Sequence, residues 1–309
     1  MLSIQHLLWP TDFSQGAQKA FPHAAALAHW HDATLHVVNV REGETATRSA
    51  MAEEFPVSRG TLANYIDATG PPSQPVDLEA LSLTQTQVDA PSPADALLEY
   101  VDNNDIDLVV AGTHGRRGLQ RMLIGSVAEE LLRRAPCPVL TVRAGEEVAS
   151  AWNVANILTP VDFSEGSTLA AQYSRELALT YGAKITLLHA VEEVVYPSAY
   201  GMEMADVPGP DVIERVEQSL ATMARDEIGY EHVMVDSEIG YAPSVILDYQ
   251  QEHDVDLIVI STHGRSGLER LLLGSVTERI ARRATVPVFV VKPFGKSLLS
   301  DDAADPDAA

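Results

Sequence analysis

Two hydrophobic patterns alternate along the chain. Short, nearly unbroken apolar runs are separated by stretches in which apolar residues recur every three or four positions. In the first half the short runs fall at 4–9, 33–40, 81–88, 106–111 and 138–142, and helical periodicity fits 15–31, 94–104 and 126–134, with an irregular or helical insert around 43–70. In the second half the runs fall at 155–159, 184–190, 231–238, 256–260 and 287–291, and helices fit 165–181, 210–227, 242–253 and 275–284. Strand–helix alternation predicts an α/β fold with a parallel sheet covered on both faces. The runs LVVAG (108–112) and LIVIS (257–261) are almost wholly apolar, as expected of strands buried on both sides.

The two halves are copies. HLLWPTDFSQG (6–16) matches NILTPVDFSEG (156–166), and the segment 108–143 matches 257–292, at offsets of 150 and 149 residues. A period this long marks a duplicated domain rather than a solenoid unit. The expected domains are 1–146 and 152–294, with the boundary inside AGEEVASAWNV. The tail 295–309, GKSLLSDDAADPDAA, is acidic and apolar-poor and is expected to be disordered.

Each copy carries a glycine-rich stretch, GTHGRRGLQRMLIGS (112–126) and STHGRSGLERLLLGS (261–275), at the end of a buried strand and the start of a helix. Ligands of open parallel sheets bind beyond the carboxyl ends of the strands. Glycine lets backbone amides approach a ligand, and a helix N-terminus favours phosphate. Ser126 with Glu129 and Ser275 with Glu278 read equally well as S-x-x-E capping boxes. The remaining glycines exceed what a cap needs, and ten of the 17 arginines lie in the two windows 116–134 and 265–283. Positive charge beside free amides suits a polyphosphate, while Arg133 and Arg134 also complement the negative end of their helix. The dinucleotide fingerprint G-x-G-x-x-G is absent from these stretches, and the GKS at 295–297 lacks the upstream glycine and following helix of a Walker motif.

The second repeated element is PTDFS (10–14) and PVDFS (160–164), at the exit of the first strand of each half. Ser14 and Ser164 suit a helix N-cap. Asp12 and Asp162 either favour that helix end electrostatically or bond a ribose or base.

Composition narrows the partners. The net charge is −23, which repels nucleic acid and anionic membranes. Only Lys19, Lys184, Lys292 and Lys296 are lysines. Excess carboxylate with little lysine fits a protein adapted to high salt, and equally an ordinary acidic cytoplasmic protein. No window approaches a membrane span of ~20 apolar residues. The start, MLSIQHLLWPTDFS, lacks the features of a signal peptide. With the single cysteine, Cys137, this points to the cytoplasm. Cys137 reads as a small core residue. His29 and His31, two apart on a helix, do not face one metal. His114 and His263, inside the glycine-rich stretches, fit either a phosphate contact or a backbone-positioning role.

The combination G-x2-G-x9-G-[ST] after the fourth strand and P-x-D-x-S after the first resembles the universal stress protein family, and does so in both halves. The resemblance implies two Rossmann-like (adenine nucleotide alpha hydrolase-like) domains, each a five-stranded parallel sheet of order 3-2-1-4-5. It implies ATP with Mg or Mn, held in half one by Pro10, Asp12, Val40, Gly112, Gly115, Arg116, Gly125 and Ser126. In half two the corresponding residues are Pro160, Asp162, Val191, Ser261, Gly264, Arg265, Gly274 and Ser275. Ser261 departs from the pattern, which has glycine there. This puts the second site in doubt if that position needs positive φ or close approach to the ligand, and does not if it merely ends the strand. Fifth strands pair between domains in this family, which implies an intrachain pseudo-twofold pair and a further homodimer.

The expected function is an ATP-binding stress or regulatory protein with little or no turnover and an unidentified regulatory partner. The alternatives are a slow ATP-hydrolysing enzyme and a partner-binding stress protein without nucleotide. PTDFS and PVDFS replace the HIGH-type or SGG-x-D-S-type loops of related enzymes, and no nucleophile–base pair stands out.

Overall fold

The computed structural model describes residues 2–42, 55–67, 76–113, 124–143, 154–192, 194–196, 204–206, 208–262 and 273–299. Half one runs β1 (His6–Pro10), α1 (Gln15–Trp30), β2 (Thr34–Arg41), α2 (Arg59–Asp67), β3 (Leu83–Asp89), α3 (Pro93–Asn103), β4 (Leu108–Gly112), α4 (Ser126–Arg134) and β5 (Val139–Val142). Half two runs β6 (Asn156–Pro160), α5 (Glu165–Tyr181), β7 (Lys184–Val191), β8 (Val194–Tyr196), β9 (Met204–Asp206), α6 (Pro210–Met223), β10 (Val233–Ile239), α7 (Ala242–Glu252), β11 (Leu257–Ser261), α8 (Ser275–Arg283) and β12 (Val288–Val291). The hydrophobic pattern anticipated these elements to within a few residues. The β8–β9 hairpin was not anticipated, and α6 continues into a π-helical turn at Ala224–Ile228.

All the long strands join one sheet, in the order β10-β7-β6-β11-β12-β5-β4-β1-β2-β3. Each half is thus ordered 3-2-1-4-5 and parallel within itself. The two fifth strands meet antiparallel, with Val288 opposite Thr141, Phe289 opposite Leu140 and Val290 opposite Val139. Phe289 is the repeat counterpart of Leu140, 149 residues on. Exchange of the halves maps the Leu140–Phe289 pair onto itself and swaps the other two pairs, so a pseudo-twofold axis passes between Leu140 and Phe289.

Strand alternation sorts side chains into two core layers. Leu140, Val142, Phe289 and Val291 join Trp9, Phe21, Leu27 and Tyr173 on the face covered by α1 and α5. Val139, Val288 and Val290 join Leu131, Leu132, Ile246 and Ile280 on the face of α3, α4, α7 and α8. Both layers draw on both halves, so the duplication is buried as a unit. At the amino ends of the strands, Asp107 accepts from the Gln5 and His6 amides (2.7 and 2.8 Å), and Asp256 from the Ala155 and Asn156 amides (both 2.9 Å). Burial pushes the Asp256 carboxyl above its usual range, against those two amides.

Residues 295–299 correct the expectation of a disordered tail beginning at Gly295. Lys296 reaches Asp107 at 2.6 Å, Leu298 is fully buried, the Ser3 amide donates to Leu298 O (2.8 Å), and the Leu298 amide donates to the Tyr173 hydroxyl (2.7 Å). The two leucines of KSLLS supply the apolar anchor that the acidic composition around them concealed. Residues 300–309 lie outside the described residues.

Two predictions follow from the shared core. Phe289→Ala empties the axis position and should cost about 3–5 kcal/mol, read as a lowered denaturation midpoint of the whole chain. His23 is buried near Leu140 and Phe289, and burial pushes its imidazole from 6.5 down to about 4. Its folded state resists a proton that the unfolded chain accepts, so the stability it contributes is complete above 6.5 and is lost as pH falls toward 4. Between neutrality and that lower value the wild type should lose about 3 kcal/mol more than His23→Leu in denaturant titrations.

Candidate functional site

In each half the strand order reverses between the first and fourth strands, which are neighbours: Leu7 pairs with Leu108 and Ile157 with Leu257. Their carboxyl ends bring PTDFS beside Gly112-Thr113 in half one, and PVDFS beside Ser261-Thr262 in half two. This is the switch-point geometry that leaves a crevice in a doubly wound sheet.

The first wall of the crevice is a tight turn with the same construction twice. Asp12 Oδ1 accepts from the Ser14 amide at 3.0 Å, and Asp162 Oδ1 from the Ser164 amide at 3.1 Å. The residue between is left-handed in both cases, Phe13 at φ 60° and Phe163 at φ 62°. A phenylalanine there costs about 1–2 kcal/mol, offset by burying part of each ring against the core. Ser14 Oγ then accepts from the Ala17 amide (3.3 Å) and Ser164 Oγ from the Ser167 amide (3.2 Å), so both serines cap their helices as expected.

Asn39 and His189 complete this wall, and sequence reasoning missed them. Asn39 Nδ2 donates to Thr11 O at 2.8 Å, and His189 Nδ1 bonds Val161 O at 2.6 Å. Each second strand thereby holds the carbonyl just past the proline. The available signal was a polar residue two places before the last strand residue, set between apolar neighbours, Val38 and Val40 in half one and Leu188 and Ala190 in half two. Since Val161 O only accepts, His189 Nδ1 carries the proton.

The second wall is the closure of the glycine-rich loop. The Gly125 amide donates to Thr113 O (2.5 Å) and the Gly274 amide to Thr262 O (2.8 Å). A Cβ on Gly274 would lie 2.8 Å from that same Thr262 oxygen, so the glycine is needed for close approach. Gly125 and Gly274 are themselves the N-caps, and neither end carries a side-chain cap bond. This corrects the capping-box reading: Ser126 and Ser275 occupy the first helical turn, one position too late to cap it. Gly115, Arg116, Gly264 and Arg265, with His114 and His263, lie outside the described residues.

Gly112 has no positive φ; a Cβ there would overlap the Gly16 carbonyl group at the start of α1. Its role is to let α1 approach β4. Ser261, its counterpart, is the last residue of β11 and is buried, so the departure falls on a strand end. Val191 is not the counterpart of Val40. The Thr11 amide bonds Val38 O and the Val161 amide bonds Leu188 O, which places Ala190 at the position of Val40 and Val191 at that of Arg41. Pro10 and Pro160 pair with Val38 and Leu188 and end their strands as read.

Fold and crevice define a tandem doubly wound α/β protein with one switch-point cleft per half. The chain belongs to the universal stress protein family, whose model matches residues 3–143 and 153–292. It is 30% identical over 207 residues to a universal stress protein of Mycobacterium tuberculosis, covering 65% of this chain and 66% of that protein. It is also 30% identical over 215 residues to one of Mycolicibacterium smegmatis, covering 68% and 69%. The chain thus spans about two thirds of the length of these relatives. Among solved structures, a universal stress protein from Archaeoglobus fulgidus superposes with a TM-score of 0.60 at 18% identity, covering 93% of this chain and 98% of that one. One from Pseudomonas aeruginosa gives 0.65 at 19%, covering 94% of each. These likenesses establish the fold.

Gly112→Ala should lower stability by about 1–3 kcal/mol through overpacking of α1 on β4, measured by thermal or urea denaturation. An unchanged midpoint would show that the helix can shift freely.

Proposed function

We propose that this universal stress protein binds ATP with Mg or Mn, one nucleotide in each half, and serves a stress-response or regulatory role with little or no turnover. One observation supports the reading most. Two helices begin at each crevice, and their ends are treated differently. The first turns of α1 and α5 are capped by Ser14 and Ser164, whereas those of α4 and α8 begin at glycine with no side-chain cap. Uncapped first-turn amides at the positive end of a helix suit phosphate oxygens, and the Ser126 and Ser275 hydroxyls lie in those turns. Asp12 and Asp162, fixed by their turns, suit the ribose, with Val40 and Ala190 bordering the base. Among the described residues no group of three His, Cys, Asp or Glu is placed to hold a metal.

The test is calorimetric titration of the purified chain with ATP and Mg²⁺, after mass spectrometry for carried-over nucleotide. One ATP per half is expected, and Gly115→Val or Gly264→Val should each remove one equivalent. Absence of binding together with absence of carried-over nucleotide would sink the ATP reading and favour a partner-binding scaffold. Steady release of inorganic phosphate from ATP, abolished by the same variants, would instead identify a slow hydrolase.

A further inference from the structure

The helix that opens each crevice is held at its far end by the other half. Lys292, the first residue after β12, sends its ammonium to Leu131 O (3.3 Å) and Ala135 O (2.5 Å) at the carboxyl end of α4. The reciprocal contact exists. Arg143, the first residue after β5, donates to Arg283 O (3.0 Å) at the carboxyl end of α8. Lys292 and Arg143 are repeat counterparts at the 149-residue offset, so the crossed grip obeys the pseudo-twofold axis.

Ala135 O and Arg283 O lie beyond the last bond that closes each helix, and Leu131 O already accepts from the Ala135 amide; each grip places a cation at the helix's negative pole. It also leads back to the other crevice. The residue before Lys292 is Val291, whose carbonyl accepts from the Thr262 amide (3.0 Å), and Thr262 O closes the half-two loop on Gly274. The residue before Arg143 is Val142, whose carbonyl accepts from the Thr113 amide (2.9 Å), and Thr113 O closes the half-one loop on Gly125. A short chain of bonds therefore runs from each loop closure, through one cation, to the helix that opens the opposite crevice. Arg282 of α8 and Glu129 of α4 add a direct pair at 3.2 Å between the two helices. Lys292 is half-buried, and desolvation pushes its ammonium down to about 8, so the charge is kept there against a solvation penalty.

We infer that Lys292 and Arg143 are positioning residues acting across the axis, Lys292 holding α4 for the half-one site and Arg143 holding α8 for the half-two site. The inference rests on the ATP reading above. It requires a crossed pattern that general destabilisation would not give.

The experiment uses the full chain and ATP with Mg²⁺. In the Gly264→Val background, which leaves the half-one site, Lys292→Met should weaken ATP about five-fold or more, as expected for a coupling of ordinary size. In the Gly115→Val background, which leaves the half-two site, Lys292→Met should leave affinity unchanged while Arg143→Met weakens it. Lys292→Arg, which keeps a cation within reach, should restore the half-one site, and it serves as the readout if Lys292→Met fails to fold. Equal losses at both sites, a loss confined to the half that carries the mutation, or no loss would each overturn the inference while leaving ATP binding intact. Failure of the wild type to bind ATP would instead overturn the nucleotide reading on which it depends.

Discussion

Everything in this molecule hangs on three facing residue pairs. The antiparallel contact of Val139, Leu140 and Thr141 with Val288, Phe289 and Val290 turns two five-stranded sheets into one of ten strands. It removes two exposed sheet edges, which would otherwise invite unspecific pairing. It also makes both core layers continuous across the axis, with Leu140 and Phe289 on one face and Val139 and Val290 on the other. The Thr141 hydroxyl, buried in the seam, donates to Val288 O at 3.3 Å, so the polar atom there is satisfied. Because the strands are only four residues long, the residues just past them reach the opposite half, which is where Lys292 and Arg143 act.

The seam also explains where scarce cations sit. The chain has four lysines and a net charge of −23. Two of the four, Lys292 and Lys296, bind half one from the end of half two, one at helix carbonyls and one at the nearly buried Asp107. In a chain with such excess carboxylate, most of the surface repels itself. In both places the cation meets a fixed negative partner, the carboxyl end of a helix or a buried carboxylate. The surface pairs Arg41–Asp89 and Arg134–Asp95 are close, at 2.6 Å each, but largely exposed, and contribute little by comparison.

The crevices are built by backbone more than by side chains. Left-handed phenylalanines, aspartate-held turns and glycine amides closing on threonine carbonyls recur in both halves with nearly equal distances. The differences between the halves are in what supports them. Asn39 does in half one what His189 does in half two, and Gly112 yields to Ser261 where α5 rather than α1 lies against the strand. Asn39 is further held by Gln87 at 2.9 Å, while the His189 ring packs on Phe163 at 4.9 Å.

The amino-acid order alone determined the elements, the duplication and the family. Hydrophobic period is a local quantity, and the motifs PTDFS, PVDFS and the two glycine-rich stretches are contiguous. Even Ser14 and Ser164 as caps were legible, because capping acts over three residues. Tertiary structure decided what depends on distance between segments far apart in the chain. The capping boxes at Ser126 and Ser275 fail because Gly125 and Gly274 are drawn onto Thr113 and Thr262, which starts each helix one residue early. The register of β7 against β6, not the run of apolar letters, makes Ala190 the counterpart of Val40. Gly112 answers to Gly16, nearly a hundred residues earlier, and Leu298 finds Tyr173 and Ser3 inside what composition marked as a tail. Composition and period report what a segment prefers, whereas burial and close approach depend on which partner the fold brings to it.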